Sequence, residues 1–89
     1  MKENDVITVV AVTGEYVGKL LRMDETGIKL GDPRMITYNE EGMGFAHGVA
    51  MTGNVNPKEV HILQAVFVTE CNPEVEKAWR QATSGIVLP

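Results

Sequence analysis

The shortness of the connections between the first apolar segments constrains this chain most. Val6-Ile7-Thr8-Val9-Val10-Ala11-Val12 is a seven-residue run dense in β-branched side chains, which reads as a strand covered on both faces. Thr13-Gly14-Glu15 breaks it, and Tyr16-Val17-Gly18-Lys19-Leu20-Leu21-Arg22-Met23 follows as a second strand. Asp24-Glu25-Thr26-Gly27 is the next turn, and Ile28-Lys29-Leu30 opens a third strand with period-two alternation. Links of three and four residues cannot hold a crossover, which takes about a dozen residues or more, so these strands are antiparallel neighbours. Gly18, inside the second strand, marks a bend or a close approach of two backbones. Gly31-Asp32-Pro33 interrupts the third, because Pro33 has no amide to donate and restricts Asp32. Arg34-Met35-Ile36-Thr37-Tyr38 is then either the far half of one bent strand or the second arm of a hairpin.

Residues 39–59 change character. Gly42, Gly44, Gly48 and Gly53 lie among Met43, Phe45, Ala46, Val49, Ala50 and Met51, a composition that makes an isolated helix costly. Three readings fit: a partly packed excursion over the barrel or a neighbour, a loop that orders on assembly or ligand binding, or a short helix near Ala46–Met51. Val60 to Thr69 reads as the last long strand. Asn72-Pro73-Glu74-Val75 is a helix start: Asn72 caps free amides, Pro73 suits the first position and Glu74 favours the positive end of the dipole. Val75, Ala78, Trp79 and Ala82 then form one apolar stripe of a helix over about residues 73–84, with Glu76 and Arg80 paired on the opposite side. Gly85 is a helix stop, and Ile86-Val87-Leu88 is too short to classify, with an edge strand on this subunit or another as one use it could serve.

The whole 89-residue chain is therefore one mostly β domain: a small, strongly bent antiparallel barrel with a short C-terminal helix. Apolar residues on both faces of strands 6–12 and 60–69 exceed what one small barrel covers, which predicts self-association by strand pairing. No apolar window is long enough for a membrane helix, and the polar start Met1-Lys2-Glu3-Asn4-Asp5 lacks the features of a signal peptide. A cytoplasmic protein with no membrane partner is expected. The single cysteine, Cys71, rules out an internal disulfide framework. His47, His61 and Cys71 have no spaced partners, so no metal or other cofactor is expected. No nucleophile–base pair or separated carboxylate pair is legible, and the chain reads as a non-enzyme. A net charge of −4 and the lack of a basic stripe or recognition helix argue against duplex DNA.

Val6, Val10 and Val12, the turn glycine Gly14, Gly18 and Leu20, and Asp24, Ile28 and Leu30 together resemble the first sequence motif of the Sm-like family. The match spans about residues 6–30. The resemblance implies a bent five-stranded sheet of the SH3 type that closes into cyclic homo-oligomers through edge strands and binds single-stranded, uridine- or adenine-rich RNA. It implies an RNA-facing turn at Asp24, Glu25, Thr26 and Gly27, with Lys19 and Lys29 as nearby cations. Gly27 stands where the family often has Asn. The family's Arg-Gly pair in the fourth-strand region is missing, since that region reads Gln64-Ala65-Val66-Phe67-Val68-Thr69-Glu70. Weak RNA binding is therefore expected, or a ring scaffold that has lost it. Short Sm-like proteins are encoded by phages as well as cells, so a phage accessory or structural component acting in the host cytoplasm fits the resemblance too.

Overall fold

Strands β1 (Val6–Ala11), β2 (Gly14–Asp24) and β3 (Gly27–Asn39) form an antiparallel meander joined by tight turns. The computed structural model describes residues 1–84. Short strands β4 (Gly42–Phe45), β5 (Glu59–Ile62) and β6 (Phe67–Glu70) and a helix, α1 (Pro73–Thr83), follow. The sheet runs β4-β3-β2-β1-β6, and β5 also pairs with β3. The expected stop at Gly85 and the unclassified run Ile86–Leu88 lie outside the described residues.

β3 is one strand of 13 residues, so the single bent strand, not the hairpin, is what forms at Arg34–Tyr38. Its bend sits at Gly31-Asp32-Pro33. There Asp32 adopts φ +46, a left-handed conformation that Asp tolerates better than most residues. Both of its backbone groups are used: the amide donates to Lys58 O (2.8 Å) and the carbonyl accepts from Trp79 Nε1 (2.8 Å). Gly18 lies against the bend. A Cβ there would sit 2.9 Å from Gly31 O and 3.4 Å from Pro33 Cα, so the glycine permits the close approach of β2 and β3. Asp32→Val should destabilise the fold by about 1–2 kcal/mol through the left-handed backbone, whereas Asp32→Gly should not, as urea melts of the two variants would reveal.

β4 and β5 run antiparallel to opposite halves of β3. Ile36 faces Phe45 and Asn39 faces Gly42; Ile28 faces Ile62 and Gly31 faces Glu59. Together they are one partner strand, interrupted at the bend by residues 46–58. The Ala46 amide bonds to Met35 O at 2.8 Å, and Lys58 O takes the Asp32 amide, so the excursion leaves and returns beside the same turn of β3.

The run from Val60 to Thr69 is not one strand. It divides into β5 on β3 and β6 on β1, joined by residues 63–66. In a flat sheet β5 and β6 would stand four strand spacings apart, roughly 19 Å. The five Cα steps from Ile62 to Phe67 reach only about 17 Å when fully extended, so the sheet must curl. It does not close. No ladder joins β5 to β6 among the described residues, so the expected small bent barrel is replaced by an open, curled sheet.

The concave face holds the main core of Ile7, Val9, Tyr16, Leu20, Ile28, Leu30 and Ile62, flanked by Met35, Val49 and Val68. The opposite face is covered in part by α1: Val6, Val17 and Trp79 form a second cluster with Ile36, Phe45 and Val75 around it. Part of the apolar surface that the sequence assigned to neighbours is thus covered by the chain's own helix. Asn72 caps α1 by accepting the Glu74 amide at 2.8 Å. The seated line is Val75–Trp79–Thr83, while Ala78 and Ala82 are exposed. The large indole sets the roll of the helix, and the alanines are too short to compete.

Candidate nucleic-acid interface

Asp24 ends β2 and Gly27 begins β3, so the turn 24–27 is held at both ends by sheet pairing. Within it the Thr26 amide donates to Asp24 Oδ1 at 2.8 Å and the Thr26 hydroxyl donates to the same oxygen at 2.5 Å. Such side-chain turns are local alternatives to a backbone turn. Arg22 Nε lies 3.1 Å from Asp24 Oδ2. The Thr26 hydroxyl, then the Thr26 amide, and to a smaller degree Arg22 hold the Asp24 carboxyl below its ordinary value. A lowered folded-state value means that the stabilisation from these bonds is present above the ordinary carboxylate range and is lost as pH falls through the folded value. Thr26→Val should therefore raise the Asp24 value toward ordinary, read by NMR titration of the carboxyl carbon. An unchanged titration would mean that the hydroxyl bond is absent in solution.

Gly27 adopts φ +130 and touches the end of β5. A Cβ there would collide with Ile62 O and lie 3.1 Å from both His61 Nε2 and Leu63 Cα. The structure thus brings Asp24, Thr26 and Gly27 together with His61, which the sequence showed only as a histidine with no spaced metal-ligand partner. No local signal marks it, because only the register of β5 on β3 carries it to the turn.

Lys29 is the cross-strand partner of Arg22 on one side and of His61 on the other, and residues so paired share a face. Its Nζ lies 3.7 Å from Glu59 Oε1. Both fixed cations of this row therefore have a carboxylate neighbour, and exposed pairs of this kind hold little energy. Glu25 is exposed at the tip of the turn. Lys19 is not at the turn. It is half-buried opposite Val6 and Gly31, five residues from Asp24 along β2, or about 16 Å at the usual strand rise.

No family model, curated protein or solved structure matches this chain. Its chemistry must be read from its own residues. Among the described residues no group of three or more His, Cys, Asp or Glu side chains is placed to hold a metal ion. Cys71 is half-buried, and burial pushes its thiol up against the opposing effect of a hydrogen bond with Thr8. No described helix is long and apolar enough to cross a membrane.

Proposed function

We propose that this chain is a subunit of an Sm-like, non-enzymatic homo-oligomeric ring that binds single-stranded RNA weakly through the 24–27 turn and His61. The observation that carries the reading is the pair of unlike free edges. Among the described residues β6 pairs with β1 alone, and β4 and β5 pair with β3 alone. Each has a strand partner on one side only among the described residues, and free edges are normally paired, covered or charged. The β6 edge carries one exposed charge, Glu70, at its end, while Val66 just before it is 64% exposed and Phe67 54%. Joining one edge to the other in a second copy is a head-to-tail contact, and head-to-tail contacts generate rings when the rotation closes.

The RNA part rests on the resemblance at Asp24–Gly27 and on the nearness of His61, whose ring can stack on an unpaired base. Its weakness follows from the pairing of Arg22 with Asp24 and Lys29 with Glu59. A net charge of −4 adds repulsion of a polyanion. The same paired cations favour a second reading, a ring scaffold or phage structural component that binds no RNA.

Sedimentation equilibrium and fluorescence anisotropy test both. The protein should sediment as an oligomer at micromolar concentration, and Phe67→Lys, which places a charge on the β6 edge, should shift it toward monomer. Short uridine- or adenine-rich RNA should bind at low salt and dissociate at physiological salt, with Lys29→Glu weakening it further. A persistent monomer overturns the ring. Intact assembly with no RNA binding at low salt leaves the scaffold.

A further inference from the structure

Three strands place side chains in one row beside the 24–27 turn. Arg22 of β2 faces Lys29 of β3, and Lys29 faces His61 of β5; residues opposite one another on neighbouring strands share a face of the sheet. Asp24 lies two residues beyond Arg22, and Glu59 two residues before His61, so both carboxylates stand on that same face. Each fixed cation of the row has one of them as its partner, Arg22 with Asp24 at 3.1 Å and Lys29 with Glu59 at 3.7 Å. Asp24 is further committed, since its other oxygen accepts from the Thr26 amide and hydroxyl. His61 is the member of the row left over. It is exposed, and among the described residues it makes no hydrogen bond or ion pair.

The charged groups around His61 come from every element beside it: Arg22 and Asp24 from β2, Glu25 from the turn, Lys29 from β3 and Glu59 from β5 itself. On its other side His61 lines a cleft with Tyr16, whose hydroxyl is 2.8 Å from Thr13 Oγ1. With the imidazole neutral, two cations stand against three carboxylates, and the patch repels a polyanion as the chain's net −4 does. A proton on His61 balances the patch. That charge is felt at the turn: after the Thr26 bonds and Arg22, His61 also helps hold the Asp24 carboxyl below its ordinary value.

Histidine is the side chain whose charge changes between about pH 5 and 8, whereas lysine and arginine stay charged throughout that range. In the protonated ring both nitrogens donate, so one imidazolium can stack on an unpaired base and also donate to a phosphate oxygen. The His61 Nε2 is already at the turn, 3.1 Å from where a Cβ on Gly27 would stand. We infer that His61 is a proton switch on the RNA contact: protonated, it supplies the one cation of the row without a carboxylate partner, and neutral, it lets the strand go. This regulation rests on the RNA binding proposed above. Its sign follows from the charge, since the cationic form favours the polyanion: affinity is gained as pH falls and lost as pH rises.

Fluorescence anisotropy with a short rhodamine-labelled oligouridine tests it, at constant low salt and at about pH 5.5 and about pH 8, either side of the histidine range. The wild-type chain should bind about threefold to tenfold more tightly at the lower pH, with a log–log salt slope steeper by about 0.7, as one added phosphate contact on a single strand requires. His61→Gln should bring the two affinities together. His61→Lys should hold the tighter affinity at both pH values, and at an exposed position both variants should fold. His47, in the 46–58 excursion, is the control: His47→Gln should leave the difference in place. Sedimentation at the two pH values should give one mass. Equal wild-type affinities overturn the switch and leave RNA binding standing. So does a difference that survives His61→Gln, disappears with His47→Gln, or tracks a change of mass. No binding at either pH overturns the RNA reading and the switch together.

Discussion

Trp79→Ala is expected to cost about 3–5 kcal/mol, the usual range for truncating a buried large aromatic. Trp79 is 3% exposed and is the one fully buried residue of α1. Its loss empties the second cluster between Val6 and Val17 and removes the hydrogen bond to Asp32 O. A domain of this size has a total stability of about 5–13 kcal/mol, so the variant should melt far below the parent or fail to fold at working temperature. Circular dichroism at 222 nm and near-ultraviolet wavelengths would follow both layers. Trp79→Phe separates the contributions, keeping most of the packing while losing the indole N–H. It should cost about 1–2 kcal/mol, chiefly for the unsatisfied Asp32 carbonyl. An unchanged melt for Trp79→Ala would mean that α1 is not docked on this sheet.

Gly27→Ala should be the most damaging single-methyl change, at about 2–4 kcal/mol from backbone strain and overpacking together. The residue holds φ +130, which L side chains rarely adopt. Its Cβ would strike the Ile62 carbonyl, and backbone on the far side of a sheet pair cannot step aside as a flexible side chain can. Relief requires β5 to move off β3, and that movement separates His61 from the turn. The variant therefore reports on the candidate interface as well as the fold: any RNA affinity should fall along with stability. Full stability would mean that β5 does not pair with β3 at this register.

The same glycine illustrates how sequence and structure divide. A turn at Asp24–Gly27 was legible because its causes are local: an Asp that bonds its own backbone, and a glycine between two apolar runs. The close approach at Gly18 and the Asn72 cap with Pro73 were legible for the same reason. What lies across from Gly27 was not, since His61 and Ile62 arrive there through a pairing of distant segments. The seating of α1 failed in the same way. Periodicity marked an apolar stripe through Ala78 and Ala82, but the sheet accepted the side of the helix that lets one indole reach the Asp32 carbonyl.

By itself the sequence determined an antiparallel meander, its turns, a capped terminal helix and an apolar excess beyond one small core, because each depends on neighbours within a few residues. Only the tertiary structure decided that β3 runs unbroken through Pro33, that Val60–Thr69 divides between opposite edges, and that the curled sheet stays open. Those outcomes depend on which strand satisfies which backbone groups across the sheet. Such partners are chosen by geometry summed over the whole chain, and no local window contains it.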